Sequence, residues 1–178
     1  LSGASSRFSH SNVRRGLKIL LAAAVVSLVT WGATHLIGDG SNLTVVFGIL
    51  HFLGVASLLY HIAQPLLDKV PGPVWLVLFL AAYTVLPHVA KVPVWLAPLG
   101  FMAPGFFSAD YYPVLPWIFM YFFGVWIADC ISAQRFPKGF YTFRCKPLEL
   151  VSRHSLWFYL LHQPVIMLGF QIYFALTT

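Results

Sequence analysis

The chain has 178 residues, of which 59% are hydrophobic and only 9% are charged, and its mean hydropathy is +0.79. About a quarter of the residues of a soluble domain are charged, so this composition excludes an ordinary soluble protein and predicts a single transmembrane domain over residues 1–178. The net charge of +6 would suit a nucleic-acid partner, but the basic residues are scattered at the ends of apolar runs, without a patch or a nucleic-acid-binding motif.

Five apolar runs predict an all-α, polytopic transmembrane helix bundle, because a helix needs about 20 residues to cross a bilayer. In chain order the predicted spans are 17–37, 43–67, 73–87, 113–131 and about 148–176. The third span is short and bracketed by prolines, and Pro164 should kink the fifth. A linker rich in proline and glycine separates the third span from the fourth.

The lysine and arginine residues predict the orientation of these spans. If the spans alternate in direction, ten of the eleven basic residues fall on one side, and only Lys91 falls on the other. The positive-inside rule then places residue 1 in the cytoplasm and the C-terminus outside. No signal peptide is recognisable at residue 1, and we expect a further N-terminal part of the protein to precede it.

His51 lies in the second span, about 12 Å below its outer end at the rise of an α-helix. An imidazole at this depth needs a polar partner, and the flanking Gly48 and Gly54 would allow a neighbouring helix to approach closely. Two interpretations are open. His51 either lines a functional pocket or bonds across helices to a backbone carbonyl.

Asp110 stands just outside the start of the fourth span and is the acid nearest to the outer mouth of the predicted bundle. It is a candidate pocket residue. An aspartate three residues ahead of a helix that starts with proline is also typical of a plain N-terminal cap, so both interpretations are kept.

His162 and Gln163 lie near the middle of the fifth span and directly precede Pro164. The proline removes one helical hydrogen bond, which leaves a backbone carbonyl without its partner about one turn earlier. An imidazole, an amide and a loosened backbone together are typical of a ligand-lined cavity. Because the second and fifth spans run in opposite directions, we predict that His51 and His162 face a shared cavity in the outer half of the bundle.

Arg153 and His154 lie at the cytoplasmic start of the fifth span, where they either bind the phosphate of a lipid or nucleotide-bearing cofactor or anchor the helix end. The histidines have no thiolate or carboxylate at ligand spacing, so no metal site is predicted. Cys130 and Cys145 are expected to be free thiols. Asp129, near the inner end of the fourth span, is expected to pair with a nearby arginine, either Arg135 or Arg153.

Four segments carry a family resemblance. They are Arg14-Arg15 at the opening of a span, Phe-Gly-Ile-Leu-His at 47–51, Asp-Tyr-Tyr-Pro-Val-Leu-Pro-Trp at 110–117, and Ser-Leu-Trp-Phe-Tyr-Leu-Leu-His-Gln-Pro at 155–164. In this order and at similar spacing, they resemble a bacterial membrane-protein family similar to the catalytic domain of heparan-alpha-glucosaminide N-acetyltransferase. The resemblance covers essentially the whole chain.

This resemblance implies a membrane acyltransferase that takes an acetyl group from acetyl-CoA and gives it to an amino sugar or another saccharide across the membrane, in the bacterial inner membrane. Members carry one or two further helices ahead of this region, with an Arg-Gly segment and a catalytic histidine, and no stretch here matches them, so the resemblance implies that these helices precede residue 1. The catalytic residue is therefore not assigned. His51 and His162 match motif positions as pocket residues, and His162 is the candidate base, with Gln163 as a donor to the developing oxyanion.

The alternative function is a non-catalytic structural or assembly subunit of a larger membrane complex. A transporter is disfavoured because the sequence shows no inverted repeat. The expected partners are the lipid bilayer and either other subunits or a second copy of the chain, and no nucleic acid.

Overall fold

The computed structural model describes residues 1–37, 43–89, 92–101 and 105–142, together with 147, 151, 154, 157, 158, 161, 162, 165, 166, 168, 169, 172 and 173. The elements assigned in this part of the chain are all helical, which confirms the all-α prediction. The α-helices are α1 (Ser2–Arg7), α2 (Asn12–Ile37), α3 (Ile49–Leu67), α4 (Gly72–Val85), α5 (Trp117–Ser132) and α6 (Lys138–Thr142), and the 3₁₀ turns are Leu86–His88 and Val94–Leu99.

The chain forms two compact units, unit 1 (Leu1–Arg135) and unit 2 (Phe136–Thr178). The described residues of unit 2 beyond α6 are helical, apart from His154, which lies in a turn. The single domain expected over residues 1–178 stays a prediction.

Among the described residues, two helices are long and apolar enough to cross a bilayer, α2 over Asn12–Leu36 and α3 over Ile49–Leu67. The third and fourth predicted spans correspond to apolar but shorter helices, Gly72–His88 and Trp117–Ser132. A proline limits each of these helices at its N-terminal end. Pro71 and Pro116 lie just before α4 and α5, and the helical conformation is disfavoured for the residue that precedes a proline, so neither helix extends further toward the N-terminus. Much of the fifth predicted span lies outside the described residues, so the count of five spans is not confirmed.

The second predicted span begins six residues later than expected, at Ile49 rather than at residue 43. Hydroxyl groups of α2 provide the reason. The backbone N–H of Leu43 donates to Thr34 Oγ1 at 3.1 Å, and that of Val45 donates to Thr30 Oγ1 at 3.1 Å. With these donors satisfied by side chains, the segment does not need helical hydrogen bonds and runs beside α2 instead.

The core of unit 1 lies between α3 and α5 and includes Phe52, Tyr60 and Tyr121. Helix α2 packs on the outside of α3, and the close approach predicted at Gly54 is confirmed. A Cβ atom there would lie 2.5 Å from Leu20 Cγ of α2. The face of α2 that points away from α3 is exposed, as expected of a helix in contact with lipid.

Helix α1 was not predicted from the sequence. Its small residues let it lie directly on α5, where a Cβ atom on Gly3 would come within 2.0 Å of the Tyr121 carbonyl oxygen. Only a glycine permits this distance, so the two backbones are in contact.

Candidate functional site

The first residues of α3 position His51. Gly48 precedes the helix in an extended conformation, and the Gly48 N–H donates to His51 Nδ1 at 3.3 Å. The imidazole therefore satisfies one of the backbone N–H groups that every helix leaves unpaired at its start. The Phe47 ring lies 5.5 Å from the His51 ring, centroid to centroid.

The second ring nitrogen of His51 points to α2. His51 Nε2 lies 3.4 Å from Ser27 Oγ, and the Ser27 hydroxyl donates to the Val45 carbonyl at 2.6 Å. Since Nδ1 accepts and the serine proton is directed at Val45, the hydrogen-bond pattern places the imidazole proton on Nε2. The bond across helices expected for His51 is thus present, through a serine rather than directly to a carbonyl.

Asp110 lies against the same helix start, although it is 61 residues further along the chain. Its Oδ2 accepts a hydrogen bond from the Ile49 N–H at 3.0 Å. A carboxylate is favoured at this end of a helix by the partial positive charge of the unpaired N–H groups. The cap interpretation is therefore correct in kind, but the capped helix is α3 and not the helix that follows Asp110 in the chain.

Gly48 is required for this contact. A Cβ atom at Gly48 would lie 2.3 Å from Asp110 Oδ2, well inside the contact distance of any side chain. The glycine thus leaves room for the carboxylate to reach the helix. We call the group of His51, Asp110, Gly48 and Ser27 the α3 cap cluster.

The chain around Asp110 is fixed to the segment that precedes α3. Ser108 Oγ accepts from the N–H groups of Val46 at 3.0 Å and Phe47 at 3.3 Å, and it donates to the Asp110 carbonyl at 2.8 Å. The Tyr112 N–H donates to the Phe47 carbonyl at 3.2 Å. These bonds join the proline-rich linker to the start of α3, so the linker is anchored at its C-terminal end.

Two tyrosines follow Asp110 and stay protonated. Burial raises the pKa of the Tyr111 phenol, whose hydroxyl donates to the Ala97 carbonyl at 2.7 Å. Burial also raises the pKa of Tyr112, and the charge of Asp110 raises it further. The Tyr112 ring stacks on Trp117, with the ring centroids 4.6 Å apart.

In unit 2, His162 and His154 border a groove with a volume of about 520 Å³, together with Trp157, Phe158, Leu161 and Val165. The lining is almost entirely apolar apart from the two imidazoles. Gln163 and Arg153 lie outside the described residues. Because His51 and His162 belong to different units, their shared cavity stays a prediction.

A second polar cluster occupies the opposite end of unit 1, and sequence reasoning missed it. Arg7 Nε donates to Asp129 Oδ1 at 2.7 Å, and Arg7 Nη1 donates to Asp68 Oδ1 at 3.1 Å and to the Tyr60 hydroxyl at 3.2 Å. The expected partner of Asp129 was Arg135 or Arg153, and the structure gives Arg7. The small residues of α1 explain this difference, because they bring the end of α1 between α3 and α5.

A chain of hydroxyl groups continues from this cluster into the core. Arg15 Nη1 donates to Ser6 Oγ at 2.9 Å, Ser6 bonds to the Tyr121 hydroxyl, and Tyr121 bonds to Ser57 Oγ at 3.1 Å. Ser57 donates onward to the Leu53 carbonyl at 2.8 Å. The hydrogen-bond chain links α2, α1, α5 and α3, and its three hydroxyl-bearing residues, Ser6, Tyr121 and Ser57, are buried. The only sequence signal was the run of small residues at 2–6.

The two clusters define the ends of unit 1. Arg7 joins the end of α3 to the end of α5, and Arg15 ties the start of α2 to α1. The start of α2 and the ends of α3 and α5 therefore lie together, as the alternation of the spans predicted. Within the described residues no three His, Cys, Asp or Glu side chains form a group that could hold a metal ion, and Cys130 is a buried free thiol.

Comparison with models of known protein families matches residues 1–164 to the family described as heparan-alpha-glucosaminide N-acetyltransferase, catalytic. The chain belongs to this family. All four segments that carried the resemblance lie inside the matched range, so the resemblance is confirmed. The family is membrane-associated and uses acetyl-CoA as its acetyl donor. No curated protein and no solved structure matches the chain.

Proposed function

We propose that this protein is an integral membrane acetyltransferase that moves an acetyl group from acetyl-CoA to the amine or hydroxyl of a saccharide, with an amino sugar as the preferred acceptor. The observation that carries this proposal is the family match over residues 1–164. No finding favours the alternative of a non-catalytic subunit.

The chemistry requires one proton acceptor. The acceptor amine attacks the thioester carbonyl carbon, the C–S bond breaks, and the proton lost by the amine finally returns to the leaving thiolate of CoA. A neutral imidazole is suited to take that proton near pH 7. Gln163 is the proposed donor to the oxyanion that forms on the carbonyl oxygen.

The histidines divide between two roles in this proposal. Both nitrogens of His51 are engaged, one by the start of its own helix and one by Ser27, so we assign His51 to positioning the outer end of α3. His162 borders the groove of unit 2 and is the candidate base. Asp110 keeps the start of α3 in place beside the proline-rich linker.

An acetyl-transfer assay tests this assignment. The full-length protein is reconstituted in vesicles and given labelled acetyl-CoA with a panel of amino sugars. A positioned general base contributes about 10²–10⁴-fold in rate, so His162→Ala should lower kcat by about that factor and His162→Gln should not restore it. The exposed His88, which bonds only to the Thr84 carbonyl among the described atoms, provides the matched control, and His88→Ala should leave turnover unchanged. Unchanged turnover in His162→Ala would show that His162 is not the general base.

The orientation is part of the proposal. The end of unit 1 that carries Arg7, Arg14 and Arg15 is assigned to the cytoplasm and the α3 cap cluster to the outside, because short cytoplasmic segments are enriched in basic residues. On intact cells an impermeant thiol reagent should label a cysteine placed at Ser41 and should not label Cys145. Labelling of Cys145 would reverse the orientation.

A further inference from the structure

The basic residues of α1 and of the start of α2 separate into two groups. Arg7 and Arg15 point into unit 1, where they bond to aspartates and serines. Arg14 and Lys18 are exposed, and neither forms a salt bridge within the part of the chain that the structure describes. The sequence alone does not distinguish the inward arginines from the outward pair.

Arg14 and Lys18 stand at the head of one continuous apolar stripe. An α-helix turns by about 100° per residue. Viewed down the axis of α2, Lys18 and the apolar residues of this stripe therefore lie within about 60° of Arg14. The exposed fractions of these apolar side chains are high for Leu17, Leu21, Val25 and Leu28, at 55%, 70%, 51% and 68%. The opposite side of α2, which contains Gly16 and Ala23, packs inside unit 1.

The dimensions of this surface match one lipid molecule in one leaflet. From Lys18 to Leu28 the helix rises about 15 Å, which is half the thickness of a bilayer's hydrocarbon core. Two cations one turn apart suit a phosphate headgroup, and the stripe below them suits its acyl chains. The long stem of a lysine also allows its ammonium group to reach the headgroup level.

We propose that Arg14 and Lys18, with the stripe formed by Leu17, Leu21, Val25 and Leu28, bind an anionic phospholipid in the leaflet that contains the start of α2. The headgroup phosphate accepts from the guanidinium and the ammonium, and the acyl chains lie along the stripe. The inward Arg15 bonds α2 to α1 through Ser2 and Ser6, which fixes the direction of the two outward cations on α2.

Native mass spectrometry of the full-length protein tests the proposal. The protein is released from nanodiscs that contain equal amounts of phosphatidylglycerol and phosphatidylcholine with identical acyl chains. The protein should retain phosphatidylglycerol in preference to phosphatidylcholine. In the double variant Arg14→Gln/Lys18→Gln this preference should fall about 30-fold at low salt, because each cation near an anionic surface contributes about fivefold. Arg14→Lys should keep most of the preference, because the charge is retained.

A matched control separates the site from net charge. Arg135→Gln/Lys138→Gln removes two other exposed cations and should leave the preference unchanged, with both double variants unfolding at the temperature of the wild type. Equal losses in the two double variants would overturn the proposal, since net charge would then explain the binding. Displacement of the lipid by excess CoA would also overturn it and assign the cations to a soluble phosphate ligand. A shift to dimers without bound lipid would assign the stripe to a second copy of the chain.

Discussion

Gly48→Ala should destabilise unit 1 by displacing one carboxylate. The backbone of Gly48, at φ −108° and ψ −172°, is open to alanine, so the substitution introduces no backbone strain. The added Cβ would lie 2.3 Å from Asp110 Oδ2 and 3.0 Å from Val45 Cγ1. The valine methyl can yield by a few tenths of an ångström, but the carboxylate must leave the Ile49 N–H. A hydrogen bond to a charged group contributes about 1.5–3 kcal/mol, so we expect a loss of about 2 kcal/mol in the free energy of unfolding.

A double-mutant cycle shows whether the loss comes from this contact. Asp110→Ala should also cost about 2 kcal/mol, because it removes the same hydrogen bond. With the carboxylate already absent, Gly48→Ala should then add less than about 0.5 kcal/mol, which gives a coupling of about 1.5 kcal/mol. Reversible unfolding in mixed detergent micelles, followed by far-ultraviolet circular dichroism, measures all three variants. Additive losses would refute the contact between Gly48 and Asp110 as the cause.

Three further substitutions test the other hydrogen bonds of unit 1. Ser27→Ala should lower the free energy of unfolding by about 1–2 kcal/mol in the same assay, because the Val45 carbonyl loses its donor and the His51 imidazole loses its partner on α2. A loss below about 0.3 kcal/mol would show that Ser27 does not stabilise the α3 cap cluster. Tyr121→Phe should cost about 1–3 kcal/mol, since it interrupts the hydroxyl chain between two buried serines, whereas Tyr83→Phe on the exposed side of α4 should be nearly neutral. Arg7→Gln should cost about 1–2 kcal/mol and this cost should shrink in high salt, because two ion pairs are lost, while Arg14→Gln should cost less than about 0.5 kcal/mol. Equal costs for the two arginines would contradict the division into inward and outward cations.

Apolar patterning predicts the four long helices of unit 1, α2 to α5, but not all of their ends. Runs of apolar residues located α2, α4 and α5 to within a few residues. The start of α3 was misplaced because residues 43–48 are as apolar as a helix, and their hydrogen bonds to Thr30 and Thr34 depend on a tertiary contact. Helix α1 was missed because six small or polar residues have no hydrophobic period, and their fit against α5 is a matter of backbone distance.

The candidate residues were predictable as polar groups in need of partners, but their partners were not. Asp110 and His51 are 59 positions apart in the chain, and only the fold brings both to the start of α3. Distance along the chain favours a nearby arginine as the ion-pair partner of Asp129, whereas the partner in the structure is Arg7, which lies 122 residues away in the chain. Long-range pairs of this kind depend on how helices pack, which a single sequence does not specify.

The proposed function requires the protein to carry acetyl from one side of a membrane to an acceptor on the other. Sealed proteoliposomes with glucosamine trapped inside and labelled acetyl-CoA added outside test it directly, because the family donor does not cross a bilayer unaided. Labelled N-acetylglucosamine, or the acetylated form of another trapped saccharide from the panel, should accumulate inside the vesicles that contain the full-length wild type. His162→Ala should slow this accumulation by about 10²–10⁴-fold, whereas His88→Ala should not slow it. Acetylation that occurs only when donor and acceptor share a compartment, or no acetylation of any acceptor in the panel, would contradict acetyl transfer across the membrane.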